Sequence, residues 1–341
     1  MAEVKQREIW VDNIKVVACV LVVLGHFFQS MVKSEIIQIS NVYEWFNQTI
    51  YYFHVPLFFI CSGYLYQKFS KVNSFKAWRN NTLKKLLNLG IPYFTFSIFT
   101  WVIKNAFSSA VNNKTGNFVD DIFLNPMPPY WFLYALFFLF IVIPTFSSLK
   151  KIRIALIFFI VLRFIFIFNP WLNKFLPMPF EYIMLYGIWF VIGMYINFVD
   201  LNRVSRDKML LSLSGASGCV FIILSIFVYN ENISVGIIPT ILGLIACFSI
   251  ILFVMFMYRD NKQGKIFGFL AKYTMPLFLM HTIFAATFRS VLFKLGIFDS
   301  TIHIVVGLFV SFAGPILSAV VMKHIRWLEI LLYPGKFIKI R

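Results

Sequence analysis

Long apolar runs separated by short polar connections repeat along the whole chain. They predict ten membrane-crossing helices, at about residues 9–31, 42–66, 86–107, 129–148, 152–168, 181–199, 209–229, 234–258, 271–293 and 301–325. Runs of this length match the hydrocarbon core of a bilayer, where a helix satisfies its own backbone hydrogen bonds. The expected architecture is all-α, a polytopic membrane protein forming one domain over residues 1–341. Two prolines, Pro56 and Pro276, fall inside the second and ninth runs and should kink those helices. Ser62-Gly63 in the second run predicts a close helix–helix contact through small residues. The first run is not a cleavable signal peptide, because it carries Asp12 and Lys15 and no small-x-small site follows it.

Composition agrees with this pattern. Hydrophobic residues make up 60% of the chain and charged ones 13%, and the mean hydropathy is +0.80; soluble domains average about 25% charged. The net charge of +17 raises the question of nucleic acid, but the distribution of the charge answers it differently. With the N-terminus in the cytoplasm, the inner segments hold 23 of the 31 Lys and Arg residues and the outer edges five, Lys33, Lys104, Lys114, Lys174 and Lys294. Basic residues accumulate on the cytoplasmic side of membrane proteins, so both termini are expected there and no nucleic-acid partner is implied. Cys19, Cys61, Cys219 and Cys247 all lie in apolar runs without paired spacing, which argues against disulfides and zinc. No internal repeat of the transporter kind stands out.

Three polar groups interrupt the first run: Asp12, Lys15 and His26. Charges inside a bilayer are costly and normally face a protein interior or cavity. Lys15 and His26 are eleven positions apart, so they project from one side of a helix, about 16 Å apart along its axis. Asp12 stands one turn before Lys15, at the spacing of an ion pair. His54 reaches similar depth in the second run, and His281 lies in the ninth. A lone membrane histidine is as often a structural hydrogen-bonder as a reactive group, but His26 shares its helix with a fixed cation, and an imidazole titrates where a general base must. No metal site is expected, since no paired histidines or adjoining carboxylate accompany it. The basic stretch 67–85 follows from membrane topology; Lys84 and Lys85, with Arg79, stand where they can also meet the phosphates of a ligand.

Four motifs in order resemble the membrane acyltransferase-3 family, which acylates sugars and other cell-surface acceptors. The opening WVDNIKVVACVLVVLGH resembles that family's Asp-x-x-Arg start with a basic-x10-His pattern, with Lys15 where Arg is usual and His26 as the histidine. FHVPLFFICSGYL is similar to its Phe-x-x-Pro-Leu-Phe-Phe-x-x-Ser-Gly-Tyr segment, and His54 is similar to the branch containing sugar O-acetylases. KKLLNLGIPY resembles the basic segment ending in Pro-Tyr, although the family's Arg-x-x-Arg is here Lys85-Leu86-Leu87-Asn88. WFLYALF, from Trp131, resembles the family's Trp-Phe-Leu, and YTMPLFLMH ends at His281 as similar proteins end theirs.

The resemblance implies an acyl-CoA donor from the cytoplasm, an acceptor hydroxyl reached from the other side, and no tightly bound cofactor. On that basis His26, Lys15 and Asp12 are the expected catalytic set. Lys84, Lys85 and Arg79 would hold the coenzyme, and His54, Ser62, Tyr64, Trp131 and His281 would line the substrate pocket. The expected activity is O-acetylation by acetyl-CoA of a surface glycan, or of its lipid-linked precursor, in the plasma membrane. The Ile/Lys/Asn/Phe-rich usage fits an AT-rich bacterium. A transporter or flippase for a polysaccharide precursor would share the spans and buried charges but would need no coenzyme. A polymerase acting on lipid-linked sugars would usually bring larger outer loops.

Overall fold

The computed structural model describes residues 7–107, 115–233, 236–260, 262–338 and 340. Lys5, Lys114, Lys339 and Arg341 of the charge count, part of the long outer connection and the first two residues of the eighth run lie outside the described residues. The described residues are helical with no strand: α1 (Ile9–Lys33), α2 (Asn41–Tyr51), α3 (His54–Phe69), α4 (Phe75–Lys85), α5 (Ile91–Ala106), α6 (Trp131–Val142), α7 (Leu149–Phe168), α8 (Met178–Ile196), α9 (Leu201–Arg206), α10 (Lys208–Asn230), α11 (Ile238–Met257), α12 (Lys265–Lys294), α13 (Ser300–His324) and α14 (Arg326–Leu332). Among the described residues, seven helical stretches are long and apolar enough to cross a membrane: α1, the continuous stretch Phe75–Ala106, α8, α10, α11, α12 and α13. The chain is therefore a multi-pass, all-α membrane protein.

Polar caps set several helix starts. Ser40, Ser74, Ser148, Asp207 and Asp299 each accept a backbone N–H from the first turn of α2, α4, α7, α10 and α13. Such a cap satisfies a donor that the helix itself leaves orphaned and contributes about 1 kcal/mol.

The three remaining runs do not form long uninterrupted apolar helices. The second breaks fully at Tyr52–Phe53, and Pro56 falls in the first turn of a new helix, α3, where its missing N–H costs nothing. The proline thus marks a restart rather than the expected kink. The carbonyl of Tyr52, which Pro56 cannot serve, sits against Gly243 of α11, where a Cβ would come within 2.5 Å of it. The fourth run yields only the twelve residues of α6, about 18 Å of helix, before the chain leaves helical conformation at Ile143. α7 has twenty residues but carries Lys150, Lys151, Arg153 and Arg163. Pro276 lies inside α12, which continues through it, and the hydroxyl of Tyr333 donates to the carbonyl of Lys272 that the proline leaves unserved, at 3.5 Å. Burial pushes the Tyr333 hydroxyl up to about 12, so it remains a donor.

The basic stretch before the third run is helical as well. α4 joins α5 through one π turn, Leu86–Gly90, immediately before Pro92. A wider turn is a local answer to a proline that cannot donate to the carbonyl four residues back.

α1 runs through the middle of the bundle, with Val11, Ile14, Ala18 and Val23 fully buried. α3 lies directly along α8: a Cβ on Gly63 would overlap the carbonyl of Phe190, and one on Gly193 would overlap that of Ile60. The predicted small-residue contact is thus present and reciprocal. α12 packs between α1 and α13. The outer helices turn apolar side chains outward, among them Ile157 and Phe158 on α7, Ile223 and Phe227 on α10, and Phe309 and Leu317 on α13. Such faces belong in lipid, because water would oppose their exposure.

Candidate active site

α1, α5, α12 and α13 enclose a cavity of about 180 Å3 at the end of the bundle opposite Asp12 and Lys84. His26 of α1 and His281 of α12 line it, with their ring centroids 5.4 Å apart and their planes at 42°. His281 is buried, and its Nδ1 lies 2.8 Å from the carbonyl of Leu277 and 3.1 Å from that of Phe278. Carbonyls only accept, so Nδ1 carries the proton and Nε2 keeps its lone pair. That buried Nε2 has no hydrogen-bond partner. His26 makes no hydrogen bond among the described residues, so one ring is fixed by its own helix and the other is free to meet a ligand.

The surroundings of the pair are built from several elements. Tyr130, fully buried just before α6, shares a 2.7 Å hydrogen bond with Thr100 of α5 and donates to the carbonyl of Leu279 at 3.1 Å. This clamp holds α5 against the turn of α12 that bears His281. Gln29 of the cavity wall donates to Asn47 at 3.0 Å and to the Tyr51 hydroxyl at 2.9 Å, and the Tyr51 ring meets His54 edge-on at 4.6 Å. His54 itself begins α3, and its Nδ1 lies 2.5 Å from the carbonyl of Ile50. It therefore closes the break between α2 and α3. It lies outside the cavity lining, next to Tyr51 and close enough to His26 for the two rings to interact electrostatically.

Several expected site residues lie elsewhere. Asp12 pairs with Arg7, not with Lys15, because the chain before α1 folds back onto its first turn. Lys15 is half-buried, faces α3 near Cys61, and has no ion pair among the described residues. Along the helix axis it stands about 16 Å from His26, and Asp12 about 21 Å, so neither touches the histidine pair. Tyr64 is also at that end, donating to Glu8 at 3.0 Å beside Lys68, which itself meets Glu8 at 2.5 Å. Ser62 is half-buried on α3 and outside the cavity lining. Trp131 stacks on Tyr182 at 5.4 Å rather than on the cavity. On α4, Arg79 is exposed, and Lys85 turns back over the ring of Phe140 at 3.7 Å. Lys84 lines a second, shallow site with Asn88 and Gly335, formed where the C-terminal segment returns to the π turn.

Other polar groups at the histidine cavity were not singled out from the sequence: Lys33, Lys104, Arg289, Gln29, Thr100 and Ser311. One of them had a signal. Lys33 is seven positions beyond His26, so Lys15, His26 and Lys33 form a single stripe on α1. Among the described residues, no group of three or more His, Cys, Asp and Glu side chains is arranged to hold a metal ion.

Comparison with known proteins gives the geometry a family. Residues 8–320 match the acyltransferase-3 family, described as an acyltransferase domain. The chain is 26% identical over 158 residues to the nodulation protein NolL of Mesorhizobium japonicum, covering 46% of this chain and 40% of that protein. It is also 26% identical over 193 residues to the inner membrane protein YcfT of Escherichia coli K12, covering 49% of this chain and 52% of that one. The chain thus spans about half the length of the curated relatives it matches. No solved structure matches it significantly. A family match from the start of α1 to within α13 takes in every helix that lines the histidine cavity, and this membrane protein belongs to the acyltransferase-3 family.

Proposed function

We propose that this acyltransferase moves an acetyl group from cytoplasmic acetyl-CoA to a hydroxyl of a cell-surface glycan or its lipid-linked precursor, in the plasma membrane of a bacterium. The observation that carries the reading is the His26–His281 pair in a cavity inside the bundle, one histidine with an unpartnered Nε2. The basic helix α4 lies at the opposite end.

In this reading α4 and Lys15 face the cytoplasm and the histidine cavity opens outward, as the distribution of loop charges favours. Lys84 and Arg79 attract the coenzyme's phosphates, and Lys15 borders the path of the thioester into the bundle. An imidazole Nε2 of the pair takes the proton of the acceptor hydroxyl, and the oxygen attacks the thioester carbonyl. The C–S bond then breaks, the acetyl ester forms, and the coenzyme thiolate takes up a proton. General-base assistance of this kind is worth about 10²–10⁴-fold.

The test is His26→Ala in purified protein reconstituted in lipid, with release of free coenzyme A from acetyl-CoA as the readout. A parallel measurement of ester-linked acetate on the glycan of cells carrying the same variant completes it. The expected result is loss of both activities in protein that still inserts. Wild-type protein that never cleaves acetyl-CoA, as a transporter would behave, overturns the proposal. So does a His26→Ala variant of normal activity.

A further inference from the structure

We propose that the acceptor carries a negative charge, held by Lys33, Lys104 and Arg289 at the mouth of the histidine cavity. The acceptor class is then an acidic glycan or a pyrophosphate-linked precursor, not a neutral sugar. This rests on the reading above that the acceptor hydroxyl meets the histidine pair in this cavity.

Three basic side chains and no acidic one line a space of about 180 Å3. They come from three elements: Lys33 ends α1, Lys104 lies in the last turn of α5, and Arg289 is buried in α12, where it donates to the carbonyl and hydroxyl of Ser30. The charges acting on Lys104 are those of Asp121, which attracts, and Lys33, which repels. Asp121 lies outside the cavity lining, in the helical turn Asp120–Leu124, and its carboxylate accepts the backbone N–H of Gly116 at 2.8 Å, so it is already engaged beside Lys104. Like charges gathered between low-dielectric walls repel each other and focus their potential into the cleft. An anion entering the cleft relieves that repulsion.

The bland explanation for basic residues at helix ends is membrane topology, and it fails here. On the orientation read from the loop charges, this is the outer face, where only five of the 31 Lys and Arg residues fall. Two of those five, with one of the few arginines inside a span, converge on one cavity. The donor's phosphates are served from the opposite end, by α4. The donors of Gln29, Thr100 and Ser311 are engaged within the protein, so these lining residues offer sugar hydroxyls neutral acceptor oxygens.

Binding measured without acetyl-CoA tests this independently of turnover. Wild-type protein in lipid nanodiscs is titrated with an oligogalacturonate, inorganic pyrophosphate, neutral maltohexaose and free coenzyme A. Wild type should bind a charged probe and lose affinity steeply with salt, because the attraction is electrostatic. Lys33→Gln/Lys104→Gln should weaken that binding about ten-fold or more, as loss of charge-assisted contacts requires. Lys33→Arg/Lys104→Arg should retain it, which separates lost charge from a damaged fold. Pyrophosphate binding points to the lipid-linked precursor, and binding of the galacturonate alone points to an acid on the sugar; both support the proposal. Maltohexaose binding as well as the charged probes overturns it. So do charged-probe binding unchanged in the Gln variant, failure of the Arg variant to bind, or a matching loss of affinity for coenzyme A. Absence of acetyl-CoA cleavage would defeat the proposed function while leaving charge-dependent binding standing.

Discussion

The imidazole of His281 faces that of His26 across 5.4 Å, and its own helix fixes its proton on Nδ1. Two residues more than 250 positions apart in the chain thereby share one cavity, and the one with the fixed tautomer is the one that presents a free lone pair. This arrangement makes His281 as strong a candidate for the general base as His26.

His281→Ala should therefore lower acetyl transfer by about 10²–10⁴-fold, the range expected for a lost general base. The double variant His26→Ala/His281→Ala should be little worse than either single one, because groups that act as a unit are not additive. Single-turnover release of coenzyme A measures both. A His281→Ala variant with normal turnover would leave this ring a purely structural role.

The α3–α8 contact predicts a contrast among glycines. Gly63→Ala or Gly193→Ala forces a methyl group into a carbonyl of the facing helix, so the helices must separate. Overpacking of this kind costs about 1–3 kcal/mol, and here the obstacle is backbone, so the upper end is expected. Gly215 on α10 has nothing within 4 Å of a built Cβ, and Gly215→Ala should raise stability by about 0.5–1 kcal/mol through backbone entropy. Thermal unfolding in detergent ranks the three. Equal midpoints would show that α3 and α8 are not held together as described.

Adjacent lysines on α4 should separate cleanly. Lys85 lies over the Phe140 ring at 3.7 Å, so Lys85→Ala should lower stability by about 0.5–2 kcal/mol, the range of cation–π contacts. Lys84 is exposed beside Asn88 and Gly335, and Lys84→Ala should raise KM for acetyl-CoA and leave the melting midpoint unchanged. Paired melting and kinetic measurements decide it. The reverse pattern would move coenzyme binding onto Lys85.

The local record in the sequence was rich where one helix decides the matter. Apolar run length marked most of the helices, and the 3.6-residue period put Lys15 and His26 on one side of α1 before any partner was known. The same stripe extended by two turns reaches Lys33. Gly63 announced a close approach because a missing side chain is what lets backbones touch. Loop charges distinguished the α4 end of the bundle from the cavity end.

Other features depend on which helix faces which. Asp12 was spaced for Lys15, yet the chain before α1 turns back and supplies Arg7 instead. Pro56 read as a kink, but the full break at Tyr52–Phe53 exists because α11 offers Gly243 to the displaced carbonyl. α6 stops after twelve residues because Pro144 pushes Ile143 into an extended conformation, a signal the sequence already carried. Where the segment beyond it goes is decided by packing, through the bonds of Gln67 to Phe146 and of Thr145 to Val72. Most of all, nothing within α1 or α12 states that His26 and His281 meet. Periodicity records the face a helix turns to its neighbours, but the identity of the neighbour comes from packing between distant segments, and only the tertiary structure holds it.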